Sequence, residues 1–209
     1  MFEAKDLRKI IDKAGTAMKT MILLGINCGL GNSDIANMPV AALDLKAGWL
    51  VYPRPKTGIA RRCPLWKETI KAIQAALDDR PVPKDQENTG LVFITKYGRK
   101  WTSETLTEPD PETGKVDNWK SDPVSAEFSK LLVTLGLKRP GLSFYALRHT
   151  FETVGGDSRD QVAVDAIMGH VRDDMASVYR EKIEDDRLEA VTTHVHKWLF
   201  PVAKKVKAK

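Results

Sequence analysis

Cysteine is scarce: Cys28 and Cys63 are the only two in 209 residues, which excludes a disulfide scaffold and suits a reducing cytosol. Long hydrophobic runs are missing as well. No stretch approaches the roughly 18 uninterrupted apolar residues of a membrane span, so no membrane partner is expected. The opening stretch MFEAKDLRKIIDKAG carries charges where a secretory signal would be apolar. Apolar residues are not in short supply, however. At 42% hydrophobic and 29% charged, the chain can bury enough surface to offset the entropy of folding as one compact unit. A formal charge of +5 and a pI near 9.1 permit an anionic partner without requiring one.

Hydrophobic periodicity organises the chain. Leu7, Ile10, Ile11, Ala14, Met18, Met21 and Ile22 recur at threes and fours, which predicts opening helix. CGLGN breaks that pattern, and Asn32 or Ser33 is expected to cap a short helix ending before Pro39. Residues 43–65 read as β: a three-stranded meander with turns at Lys46-Ala47-Gly48 and Lys56-Thr57-Gly58. An amphipathic helix follows from Trp66, then a loop, then LVFIT as a short strand. The polar stretch 96–123 reads as a surface insertion. Three helices are expected next: SAEFSKLLVTLGL closed by Gly136, a helix from Ser143 or Phe144 through YALRHTFETV, and RDQVAVDAIM ended by Gly169. Asp173 or Asp174 is expected to cap one long final helix, with Glu184-Asp185-Asp186 on its solvated face. Residues 201–209 form a basic tail. The fold class expected is α+β, mainly α-helical, with a small antiparallel three-stranded sheet.

Three pieces stand apart. Pro55-Lys56-Thr57-Gly58-Ile59-Ala60-Arg61-Arg62-Cys63-Pro64-Leu65 is a hairpin with a lysine near its turn. Tyr145-Ala146-Leu147-Arg148-His149-Thr150-Phe151 opens a helix, and Met168-Gly169-His170 is followed nine residues later by Tyr179. Their order and spacing resemble the catalytic domain of the tyrosine recombinases, the phage-integrase family, from about Leu7 to about Lys197. Any one motif is weak; three in order and in context are more specific.

The resemblance implies a site-specific DNA recombinase or integrase of mobile elements, acting on double-stranded DNA with no metal or cofactor. Tyr179 would attack a phosphodiester to give a 3′-phosphotyrosyl ester, which stores the bond for strand exchange and religation. Arg148 matches the second family arginine, whose planar fork grips a nonbridging oxygen. Lys56 matches the lysine that protonates the leaving 5′-oxygen, and His170 matches the family's His/Trp position at the scissile phosphate. His149 is more often packing than chemistry. Each residue also has a plain reading: a core tyrosine, an ion-paired arginine, a solvated lysine, a capping histidine.

Two departures stand out. In Gly29-Leu30-Gly31-Asn32-Ser33-Asp34-Ile35, Gly31 stands where the family carries its first arginine, and Tyr145 replaces a His/Lys. Arg54, Arg61 or Arg62 from the hairpin are candidates for the absent cation, and Tyr145 for a supporting hydrogen bond. A degenerate homologue that binds DNA without cutting it is the alternative, and a helical protein-interaction domain a third. Residues 1–200 are expected to be the catalytic domain, without the family's N-terminal core-binding domain. The protein is expected to be cytoplasmic and DNA-associated, and to form a homo-oligomer on DNA through its C-terminal segment. Val195, Trp198, Leu199 and Phe200 would suit docking in trans, though packing in cis is equally open.

Overall fold

A computed structural model describes residues 1–106, 118–170 and 183–201; for 103–106 and 118–120 it describes the backbone alone. Helix α1 (Ala4–Lys13) and helix α2 (Thr16–Cys28) replace the single opening helix expected, because the chain turns extended at Ala14 and Gly15. Helix α2 is apolar nearly all round, with Met21, Ile22, Leu24, Ile26 and Cys28 fully buried. A helix of that kind belongs in the centre of a fold. It packs against α1, against α4 (Lys67–Asp78), α6 (Ala146–Gly156) and the last helix, α8 (Asp185–Leu199). Gly25 permits the closest of these approaches: a Cβ there would lie 3.0 Å from Leu147 Cδ1 of α6.

The predicted meander forms as β1 (Leu43–Asp44), β2 (Trp49–Val51) and β3 (Arg62–Pro64), in that order and antiparallel, with Leu50 opposite Cys63. Buried Asn27 ties this sheet to the end of α2. Its amide donates to Pro64 O at 3.0 Å and its Oδ1 accepts from Trp66 N at 2.9 Å. The short helix α3 (Asn32–Ala36) is capped by Gly31, one residue before the expected Asn32 or Ser33. The polar signal there is Asp34, whose carboxylate accepts the Gly31 amide at 3.1 Å.

LVFIT forms no strand. Pro39–Leu91 and Ile94–Lys100 are isolated bridges and Val92 N donates to Met38 O, but no continuous ladder forms; Val92, Phe93 and Ile94 are buried. The stretch 96–123 carries a hairpin that polar composition hid, β4 (Ser103–Leu106) paired antiparallel with β5 (Asn118–Ser121). Helices α5 (Pro123–Thr134) and α7 (Gln161–Met168) start on Asp122 and Asp160, whose side chains accept from Ser125 N and Ala163 N.

The long final helix expected from residue 174 is not continuous. Ile183 and Glu184 are non-helical and α8 starts at Asp185. The acidic run is therefore a helix start, where carboxylates favour the exposed amides, rather than a face. Leu188, Val191, Val195 and Leu199 are buried, Trp198 and Phe200 pack on the core, and Leu199 O accepts from Arg8. The apolar residues offered for exchange thus pack in cis. Arg62 holds the start of α8 through a two-armed contact to Asp185 (2.6 and 3.2 Å) and lies 4.4 Å over the Trp49 ring. Both partners are about two-fifths exposed, so Arg62→Ala is expected to lower stability by only about 1 kcal/mol. Urea unfolding with and without added salt checks this, since salt should shrink the difference.

Candidate active site

Arg148 sits in the first turn of α6, on the face that carries Leu147, Phe151 and Val154 into the core. Its guanidinium is 2% exposed. It donates to Gly29 O at 2.5 Å and to Met168 O at 2.9 Å. These carbonyls terminate α2 and α7, each ended by a left-handed glycine (Gly29 φ 62°, Gly169 φ 64°). Helix C-termini carry partial negative charge. Two of them aimed at one guanidinium hold it in place without a carboxylate.

His170 follows the turn at Gly169. Its Nε2 lies 2.8 Å from Arg148 Nη2. Since arginine only donates, Nε2 accepts and the ring proton belongs on Nδ1. That nitrogen faces Asp165 Oδ1 at 3.5 Å and Glu152 Oε1 at 3.9 Å, two carboxylates that orient the ring.

The β2–β3 connection arrives on the same turn. Arg54 donates to Gly169 O at 3.3 Å. Arg61 is buried, with Nε donating to Tyr52 O at 2.8 Å and Nη1 to Asp34 Oδ2 at 3.0 Å. Lys56 is exposed on the turn closed by Thr57 N and Gly58 N to Arg54 O. The turn that carries Lys56 is thus anchored beside Arg148 and His170 at its Arg54 end. Burial pushes the Arg148 guanidinium below its ordinary value, Arg54 and Arg61 push the same way, and Tyr145 and Asp34 oppose them.

The Tyr145 ring covers Gly31. A Cβ on Gly31 would be 3.3 Å from Tyr145 Cε2, so the two departures from the family pattern are in contact. The ring also meets His149 edge-on at 5.1 Å. His149 points outward, 61% exposed, near Glu152 at 4.0 Å. Arg62, committed to Asp185 and Trp49, is not among the converging cations. Tyr179 lies outside the described residues. Sequence reasoning missed Asp34, Asp165 and Glu152. Asp34 lay within the quoted motif, but pairing across 27 residues leaves no local pattern.

A family model described as the phage integrase family matches residues 1–185. The chain belongs to the phage integrase family. Solved structures agree on the fold, a helix-rich tyrosine-recombinase catalytic domain with a small three-stranded sheet. The Tn1549 transposon integrase, in complex with a circular intermediate DNA, superposes with a TM-score of 0.62 at 16% identity. That match covers 89% of this chain and 62% of that one. The XerA recombinase gives 0.58 at 17% identity, over 91% and 62% of the two chains. A lambda integrase dimer bound to a core site gives 0.58 at 15%, over 88% and 61%. The chain therefore spans somewhat under two thirds of these relatives. No curated protein matches the sequence.

Proposed function

We propose that this integrase-family chain is the catalytic domain of a site-specific DNA recombinase that breaks and rejoins strands through Tyr179. The observation that carries the reading is the gathering of the Arg148, Arg54 and Arg61 guanidinium groups and of His170 around the turn at Gly169. Such a cluster is complementary to a phosphodiester, and preorganised donors of this kind stabilise the charge that grows during displacement. The relatives solved on DNA share the fold, which supports a double-stranded DNA partner.

The steps balance without an external energy source. The Tyr179 oxygen bonds to phosphorus as the bond to the 5′-oxygen breaks; the phenolic proton passes to solvent water and Lys56 gives one to the departing oxygen. Tyrosine has a pKa of about 10 and needs neighbouring cations to ionise near neutrality. Arg148 presents its fork to the nonbridging oxygens. His170, oriented at Nδ1 by Asp165 and Glu152, places its ring beside the Arg148 fork at the same phosphate. Attack by a second 5′-oxygen reverses every step and reseals the strand. Assembly into a homo-oligomer on DNA would bring that second strand.

A nicked duplex that loses its 5′-fragment on cleavage tests the reading. Wild type is expected to accumulate a covalent adduct and Tyr179→Phe none, while both bind with affinity that falls steeply as salt rises. Binding without an adduct from wild type, on any duplex, selects the non-cutting homologue instead, the outcome that Gly31 favours.

A further inference from the structure

Three guanidinium groups meet at two turns. Arg148 holds Gly29 O and Met168 O, Arg54 holds Gly169 O, and Arg61 lies across Gly169, where an added Cβ would come within 2.8 Å of its Cγ and Cδ. Asp34 is the carboxylate on Arg61, with Oδ2 shared between Arg61 Nη1 and the Gly31 amide. Arg61 is 2% exposed, yet its Nη2 has no hydrogen-bond partner among the described residues. A buried, unmatched charged donor is costly. Such a group marks a place where a ligand is due.

Gly31 lies on the other side of the same carboxylate. Its backbone is ordinary, at φ −91°, so glycine is not required there by conformation. What stands in the way of a side chain is the Tyr145 ring. The turn that lacks an arginine thus uses its own Asp34 to hold one delivered from β3.

We propose that Arg61 supplies the cation missing at residue 31, anchored on Asp34 through Nη1 and keeping Nη2 for the phosphate oxygen bound by Arg148 and His170. It acts as a charge-supplying and positioning residue. The inference deepens the recombinase reading and rests on it for the identity of the anion as a DNA phosphodiester.

The test removes the charge without stranding its partner. Arg61→Gln combined with Asp34→Asn is expected to slow single-turnover cleavage of saturating nicked duplex by about 10²–10³-fold, with a smaller change in DNA affinity. Adding Gly31→Arg together with Tyr145→Ala, which clears the ring over residue 31, is expected to recover at least about tenfold of that loss, as a relocated guanidinium should. A folded double variant that cleaves within about threefold of wild type overturns the proposal. If it does not fold, Arg61→Lys keeps the Asp34 pair but loses Nη2, and a wild-type cleavage rate from it overturns the proposal too. A second readout is independent of cleavage: inorganic phosphate should raise the wild-type melting temperature above chloride at equal ionic strength, and the double variant should lose that gain. Equal shifts, or none in wild type, reject Arg61 as part of an anion site. Phosphate binding that depends on Arg61, with no adduct from wild type, instead rejects the Tyr179 chemistry alone.

Discussion

Arg148→Ala is expected to abolish measurable strand cleavage and to destabilise the protein together. The two effects have separate origins. On the chemical side, one lost charge-stabilising donor typically costs about 10²–10³ in rate, and Arg148 presents two arms of one fork. On the structural side, Gly29 O and Met168 O lose their buried partner. Each stranded carbonyl costs about 1–3 kcal/mol, so urea denaturation should show a loss of about 2–6 kcal/mol. Arg148→Lys separates the two. It retains a charge but cannot bridge both carbonyls and a phosphate oxygen, so it should recover part of the stability and little of the cleavage. Equal recovery of both would mean that Arg148 acts only as structural glue between α2 and α7.

Gly169→Ala is expected to damage the site from the backbone. Gly169 has φ +64°, where an L side chain costs about 1–2 kcal/mol. The new Cβ would also lie 2.8 Å from Arg61 Cγ and Cδ and 3.2 Å from Arg54 Cβ. Both cations must move, and His170 follows directly in the chain. Gly136→Ala provides the comparison: φ is +67° there, but nothing lies within 4 Å. Gly136→Ala should therefore lose about 1 kcal/mol and keep full cleavage. Gly169→Ala should lose more stability, and cleavage should fall at least about tenfold as the cations shift. Similar cleavage by the two variants would show that the placement of Arg61 and Arg54 does not matter.

The helices and the meander were legible because their signals are local. Gly169 and Gly136 end helices, Asp122 and Asp160 cap them, and glycine turns link the strands. Order and spacing likewise singled out Arg148, His170 and Lys56. The break at Ala14–Gly15 was hidden because apolar residues keep helical spacing on both sides of it. LVFIT misled because a buried apolar run reads as a strand even where its neighbours pair with it only at isolated bridges. The break before Asp185 fell within a stretch whose charges suit a helix face and a helix start equally.

The family resemblance named Arg148 and His170, which the structure brings together, but gave no sign of how the departures are arranged. Gly31 and Tyr145 read as two separate losses; in space they touch, and the Asp34 beside them holds Arg61. Of three hairpin arginines with the same local sequence character, burial against Gly169 distinguishes Arg61 and Arg54 from Arg62, which turns to Asp185. That division depends on which residues α7 and α8 bring to the sheet, more than a hundred positions along the chain.

The most direct measurement is the identity of the residue that carries DNA after reaction with a nicked duplex. The trapped complex is digested with nuclease and protease, and the modified peptide is sequenced by mass spectrometry. A nucleotide joined through its 3′-phosphate to Tyr179 is the expected product. A nucleotide on another residue, or a wild-type protein that binds the duplex and returns it unmodified, would contradict the assignment of this chain as a strand-cleaving recombinase.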